Sequence, residues 1–231
     1  MKKLVTVFVI LSVSLLAQGK LSAGAGFSYL LPTGELSNRF NPGLGASVFF
    51  SKDVSSTWTW TGKLEYLVFD KINEDKMQTK REILIGTENK TFVYPIKNLK
   101  MELKAYGASV QADYSFFKNS FFESKFNVGF GIYNWNFSRG SYTDSLFAPD
   151  TAGVNKLQEL LKVPALDQSD WSGSFNVGAE LDVQIYDPVW FGISVNYKNI
   201  LGELWSTLKL DFENVASMQM IEFKATLRAR F

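Results

Sequence analysis

Residues 218–231 read MQMIEFKATLRARF. Taken alternately, Gln219, Ile221, Phe223, Ala225, Leu227, Ala229 and Phe231 fall on one side, and Met220, Glu222, Lys224, Thr226, Arg228 and Arg230 on the other. A side-chain period of two is that of a β-strand, here with one apolar face and one densely charged face. Its two faces meet different solvents. The same alternation is cleaner still in 171–186, where Trp171, Phe175, Val177, Ala179, Leu181, Val183 and Ile185 oppose Ser172, Ser174, Asn176, Gly178, Glu180, Asp182 and Gln184.

Working outward from these two stretches, the pattern predicts further strands at 20–30, 43–50, 57–69, 99–116, 121–137 and 189–198. The connections between them alternate in length without exception. Those at 31–42, 70–98, 138–170 and 199–217 are long, and those at 51–56, 118–120 and 186–188 are a few residues each. Leu31-Pro32-Thr33-Gly34 breaks the first strand, because Pro and Gly cannot continue a central ladder. A small hairpin is expected inside 70–98, around Glu82–Gly86 and Thr91–Tyr94. Inside 138–170, apolar residues at helical spacing in 154–161, stopped before Pro164, predict a short amphipathic helix. At the start of the fourth strand Lys100, Glu102 and Lys104 occupy the apolar register, so that part should stand above the apolar zone.

Alternating long and short connections are those of an up-and-down antiparallel barrel, which puts all odd connections at one end and all even ones at the other. Transmembrane barrels show this asymmetry, and a crossing strand needs about 9–11 residues. A soluble lipocalin-like barrel would share the alternation but bury the apolar face. The composition of the faces favours the membrane arrangement: the Gly- and Ser-rich face of the first, fourth and sixth strands suits a narrow lumen. Trp58, Trp60, Tyr114, Phe116, Phe122, Trp171 and Phe191 sit near strand ends, where an interfacial girdle belongs. The expected fold is thus all-β: an eight-stranded antiparallel up-and-down transmembrane β-barrel with long external loops and short periplasmic turns. At the other end of the chain, Lys2 and Lys3 precede an apolar run from Leu4 to Leu16, and Ala17-Gln18-Gly19 offers a small-x-small cleavage site. Residues 1–19 are therefore expected to be a secretory signal peptide, cut after Gly19 or Ala17, with 20–231 as one barrel domain.

The terminal Thr226-Leu227-Arg228-Ala229-Arg230-Phe231 resembles the last strand of bacterial outer-membrane barrels, and the whole of 20–231 is similar in architecture to small barrels of the OmpA/OmpX type. The resemblance implies a bacterial outer-membrane location and contact with outer-membrane lipid and lipopolysaccharide. It also implies a C-terminal signal, formed by Phe223, Leu227 and Phe231, that the barrel-assembly machinery reads. The resemblance is to the barrel of OmpA and not to its peptidoglycan-binding domain, so anchoring to the cell wall is not expected.

On this reading the lumen holds Lys63, Glu65, Asp113, Glu123, Lys125, Glu180, Asp182, Glu222, Lys224, Arg228 and Arg230. Eight strands enclose an interior that side chains nearly fill, and charges there must be paired. They form either a salt-bridged plug that sets strand register or a narrow gated polar pore. The chain has no His and no Cys, which removes His-activated Ser or Cys nucleophiles, such as those of the membrane-embedded phospholipase and lipid A deacylase. No metal site and no cofactor are expected, and a net charge of +1 does not suit nucleic acid. The favoured function is a non-enzymatic, monomeric outer-membrane protein acting in envelope structure, adhesion or recognition through loops 70–98 and 138–170. The alternative is a narrow porin or OmpW-like passive channel, which would need an apolar inner pocket near Tyr133, Trp135 and Trp190.

Overall fold

The computed structural model describes residues 20–231; the expected signal peptide at 1–19 lies outside the described residues. The strands are β1 (Leu21–Pro32), β2 (Gly43–Asp53), β3 (Trp58–Phe69), β4 (Gln78–Ile85), β5 (Glu88–Pro95), β6 (Met101–Lys118), β7 (Phe122–Arg139), β8 (Tyr142–Pro149), β9 (Asn155–Val163), β10 (Leu166–Tyr186), β11 (Val189–Ile200) and β12 (Met218–Arg230). Eight of them close a barrel in the order β1-β12-β11-β10-β7-β6-β3-β2. Closure is by β1, which pairs antiparallel with β2 through Ala25↔Val48 and with β12 through Ala25↔Leu227. Short turns close one end through side-chain bonds: Ser55 Oγ accepts the Thr57 and Trp58 N–H groups, and Asn119 Oδ1 accepts those of Phe121 and Phe122.

The hairpin expected inside 70–98 is present and longer than the sequence suggests, as β4–β5. The helix expected over 154–161 is absent: β9 pairs with β8 as a second hairpin. The register steps from Leu146↔Glu159 to Phe147↔Leu157, leaving Gln158 unopposed as a β-bulge. That extra residue returns Leu157 and Leu160 to the same exposed face, while Leu161 and Val163 turn inward and are buried. A bulged strand with apolar residues on both faces imitates a spacing of three and four. Because 138–170 holds two strands, β7 and β10 also run closer together than expected, to Arg139↔Leu166.

The barrel wall is uneven in height. β6 and β7 have 18 residues each and β10 has 21, against 11 to 13 in β1, β2, β3, β11 and β12. Over the shared height the outer face is apolar and exposed, with Phe27, Val48, Leu64, Val110, Phe130, Val177, Ile193 and Leu227 among its residues. Aromatic residues bound this belt. Trp58 and Trp60 on β3 and Tyr114 and Phe116 on β6 cluster at the short-turn end, with Trp58 against Tyr114 (centroids 5.1 Å apart) and Phe116 stacked on Phe126 of β7 (4.6 Å). Tyr29, Tyr66, Tyr106 and Trp171 ring the long-loop end. From Tyr106 to Phe116 the chain climbs ten residues, about 25 Å at ~3.3 Å per residue and a tilt near ~40°. That matches the apolar band of a transmembrane barrel.

Above Tyr106 the two faces exchange roles. Glu102, Lys104, Asn134, Asn136 and Ser138 point outward, and Lys104 pairs with Glu102 at 2.6 Å. Met101, Leu103, Ala105, Tyr133, Trp135 and Phe137 point inward and are buried. The long connections fold over this apolar interior. A 3-10 turn at Gly34–Asn38 brings in Leu36 and Phe40, and 201–217 brings in Leu204, Leu210, Phe212 and Val215. From the hairpins come Met77, Ile96, Leu146 and Leu161. Each such side chain contributes about 1.5–3 kcal/mol on leaving water. The long-loop third of the molecule thus has the core of a water-soluble protein, and below it lies the inverted barrel.

Candidate functional site

Alternation along β3, β6, β7, β10, β11 and β12 sends every second side chain inward, and below the cap these are polar, charged or glycine, apart from Trp190 at the mouth. All the residues expected in the lumen line the interior, although Lys63 is less covered than the rest and Arg230 stands at the short-turn mouth. Glu65, Asp113, Glu123, Glu180, Asp182 and Glu222 are matched one for one by Lys63, Lys125, Lys198, Lys224, Arg228 and Arg230. Lys198 is not among the residues expected in the lumen: it shares the Trp190–Gly192–Ser194 face, but nothing local in the sequence marks it as the partner of Glu65 and Glu222.

The charges form two layers. Next to the cap, Glu65 accepts from Lys198 Nζ at 2.8 Å, Lys224 Nζ at 3.1 Å, Ser109 Oγ at 3.0 Å and the Tyr133 hydroxyl. Glu222 completes the layer, 3.1 Å from Lys224 and 3.6 Å from Lys198, and accepts from Ser28 Oγ at 2.7 Å. Nearer the short turns, Asp182 receives Lys125 at 2.6 Å, Arg230 at 2.7 Å and Arg228 at 3.1 Å. Glu180 takes the other arm of Arg228 at 2.6 Å, and Glu123 holds Arg230 at 2.6 Å and Lys118 at 3.2 Å. Arg230 lies 3.8 Å above the Trp190 ring and covers the mouth.

Between the layers, Lys63 donates to Gln111 Oε1 at 2.5 Å, Gln111 Nε2 donates to Asp113, and Thr61 Oγ1 donates to Asp113 at 2.6 Å. Glycines make room for the larger rings on the inner face: a Cβ on Gly107 would stand 2.7 Å from the Tyr133 ring, and one on Gly24 would stand 2.5 Å from Phe49. Within the charged region lies a void of about 10 Å³ bordered by Thr61, Lys63, Asp113, Glu180, Thr226 and Arg228, enough for about one water.

The apolar pocket that an OmpW-like channel would need is not formed among the described residues. Tyr133 and Trp135 are packed into the cap core, Trp135 with its indole N–H on Ser172 Oγ at 2.9 Å. Trp190 lies at the opposite end, opposite Arg228 in the β11–β12 register. Gly107 and Gly202 closing on those rings would have been a weak signal of it in the sequence.

The cap holds two more buried cations that sequence reading did not single out. Arg39 donates from Nη2 to the carbonyls of Glu213 (2.6 Å) and Trp205 (3.0 Å), with its guanidinium 5.3 Å from the Phe212 centroid and 5.7 Å from that of Phe137. Burial, then the nearby Arg139, lowers its pKa to about 10. Arg139 donates to Thr207 Oγ1 and, at 3.2 Å, to the Pro164 carbonyl. The two hairpins lie side by side, joined by Arg81–Glu159 at 2.9 Å and by the Tyr94 hydroxyl on the Phe147 carbonyl at 2.9 Å.

No protein-family model matches the chain, and no curated protein matches it. Among solved structures it is similar to Neisserial surface protein A, at 12% identity over 93% of this chain and 100% of that one, with a TM-score of 0.45. It is also similar to a major outer membrane protein from Thermus thermophilus, at 11% identity over 92% and 99%, TM-score 0.48. A third likeness is to the outer membrane protease OmpT from Escherichia coli, at 6% identity over 93% and 97%, TM-score 0.41.

Proposed function

We propose that the protein is a non-enzymatic, non-conducting integral barrel of a bacterial outer membrane, whose task is to hold a folded loop domain at the cell surface. The observation that carries this reading is the exchange of polarity at Tyr106. Below it an apolar belt about 25 Å tall can face only lipid, and above it polar walls enclose an apolar core of loops. The surface domain is built from the expected loops 70–98 and 138–170, joined by 31–42 and 199–217. Its work is recognition or adhesion, and lipopolysaccharide and outer-membrane lipid are the partners of the belt. The outward row Phe223, Leu227 and Phe231 then serves the assembly machinery, and removing Phe231 should slow insertion without blocking secretion.

The passive-channel alternative is disfavoured by the void of about 10 Å³ and by the apolar plug above it. The test is single-channel recording of the refolded barrel in a planar bilayer, with Glu180→Ala and Arg228→Ala beside it. A silent membrane with folding confirmed by a heat-dependent gel shift supports the proposal. Steady openings that change with either substitution would overturn it in favour of the pore.

A further inference from the structure

At the long-loop end, three connections converge on a pocket of about 340 Å³ whose charged lining is Glu35, Arg39, Lys76, Lys80, Asp211 and Glu213. The 3-10 turn at 34–38 carries its first wall, the entry to β4 its second and the return to β12 its third. Arg39 is its buried element. Only 3% of this residue is exposed, and no carboxylate of the described residues comes within 4 Å of its guanidinium. Its two protein hydrogen bonds both leave from Nη2 and both end on neutral carbonyls. Arg139, the second buried guanidinium of the cap, is close enough to repel it.

Two buried cations with no carboxylate in contact are electrostatically incomplete, because burial withdraws the water that would otherwise screen them, and Arg39 is balanced only at longer range by the exposed Glu35. An ordinary buried arginine is satisfied by a bidentate carboxylate. Here the fold has spent aromatic rings and carbonyls on holding Arg39 in place, and leaves its charge to the pocket. The wall cations are available: Lys80 has no side-chain partner among the described residues, and Lys76 has only Ser37 Oγ, at 3.1 Å. Of the wall carboxylates, Asp211 is already committed, accepting from Lys80 N at 2.6 Å and Thr79 Oγ1 at 3.1 Å. Glu35 and Glu213 are solvated at the rim.

We propose that this pocket binds an oxyanion group, a phosphate, sulfate or carboxylate carried on a small polar molecule, with Arg39 as the floor contact and Lys76 and Lys80 closing from the walls. The pocket is far roomier than one oxyanion, so the anion is a substituent of something larger, and the rim carboxylates face that molecule's hydroxyl or amine groups. The inference is independent of whether the barrel conducts.

The experiment is an amide NMR titration of the refolded, detergent-solubilised barrel with inorganic phosphate, and in separate arms with sulfate and acetate, against sodium chloride at matched ionic strength. Saturable shifts confined to 35–39, 76–80 and 211–215 are expected, and the tightest arm identifies the oxyanion. The double variant Lys76→Gln/Lys80→Gln, both side chains being exposed, should fold normally and weaken binding about three- to tenfold, while Glu35→Gln should tighten it. Arg39→Lys, which keeps the charge but loses the planar fork, should weaken it further. Equal shifts with chloride, shifts spread over surface lysines, or phosphate binding unchanged in the double variant would each overturn the proposal.

Discussion

Replacing Glu65 with Gln is the most informative single perturbation of the lumen. Glu65 accepts hydrogen bonds from both lysines of the layer next to the cap, Lys198 at 2.8 Å and Lys224 at 3.1 Å, and it also takes the Ser109 and Tyr133 hydroxyls. The carboxamide keeps the volume, removes the charge and turns an N–H group toward an ammonium. Breaking a buried ion pair costs about 3–5 kcal/mol, since an uncompensated charge remains behind. Glu222 stays within 3.6 Å of Lys198 and 3.1 Å of Lys224, so the lower end, about 3 kcal/mol, is expected. Adding Lys198→Met removes the surplus cation and should restore about 1–2 kcal/mol, a coupling normal for residues in contact. The assay is urea unfolding of the refolded barrel in micelles, followed by tryptophan fluorescence. A Glu65→Gln variant within about 0.5 kcal/mol of the parent, with no recovery in the double variant, would refute the reasoning: water would then be reaching these lysines.

Trp135→Ala should cost about 3–5 kcal/mol in the cap core, and limited proteolysis should then cut within 70–100 and 140–165 while the barrel strands survive as a protected fragment. Deleting Gln158 removes the bulge without changing which faces meet, so the Arg81–Glu159 pairing should persist in a cross-linking assay; a helical segment would lose that register. Tyr142 in β8 is pushed up to about 12 by burial and by its hydrogen bond to Asp144. Its neutral form is favoured in the fold, so this contribution is complete below the unfolded tyrosine value near ~10 and is lost as pH rises through about 12. Ultraviolet titration of the parent minus Tyr142→Phe should show one phenol ionising late.

The barrel was legible because lipid and a charged interior act on alternate residues of the same strand, so that Phe223 and Lys224, or Leu181 and Asp182, announce two solvents at a period of two. The connection lengths added the topology. The cap was not legible, since its core is assembled from Leu36, Met77, Leu146 and Phe212, which belong to separate connections and share no period. One clue was present: Met220, Tyr133 and Trp135 fall on the otherwise charged face, as they must once that face is above the membrane and enclosed by loops. The helix expected over 154–161 failed for the related reason that a bulge breaks the period of two. The lumen residues were legible as a set but not as pairs, because pairing depends on strand stagger. Glu65 on β3 meets Lys198 on β11 across the barrel, a relation that no local window contains.

The tall wall formed by β6, β7 and β10 bears on how the chain enters its membrane. The upper segments of β6 and β7 are apolar on the inside and polar on the outside, and that of β10 is polar on both faces apart from Leu166, so none has a stable place in the bilayer. They gain their core only once the hairpins and the 201–217 connection have also crossed and closed over Trp135 and Phe137. Condensation of that core on the far side would then oppose backsliding of the strands. Sliding β7 back would expose Trp135 and Phe137 to water and draw Arg139 away from the Thr207 hydroxyl and the Pro164 carbonyl. If the fold of the loops makes insertion directional, cap variants such as Trp135→Ala should insert more slowly into preformed vesicles, and unchanged rates would refute it.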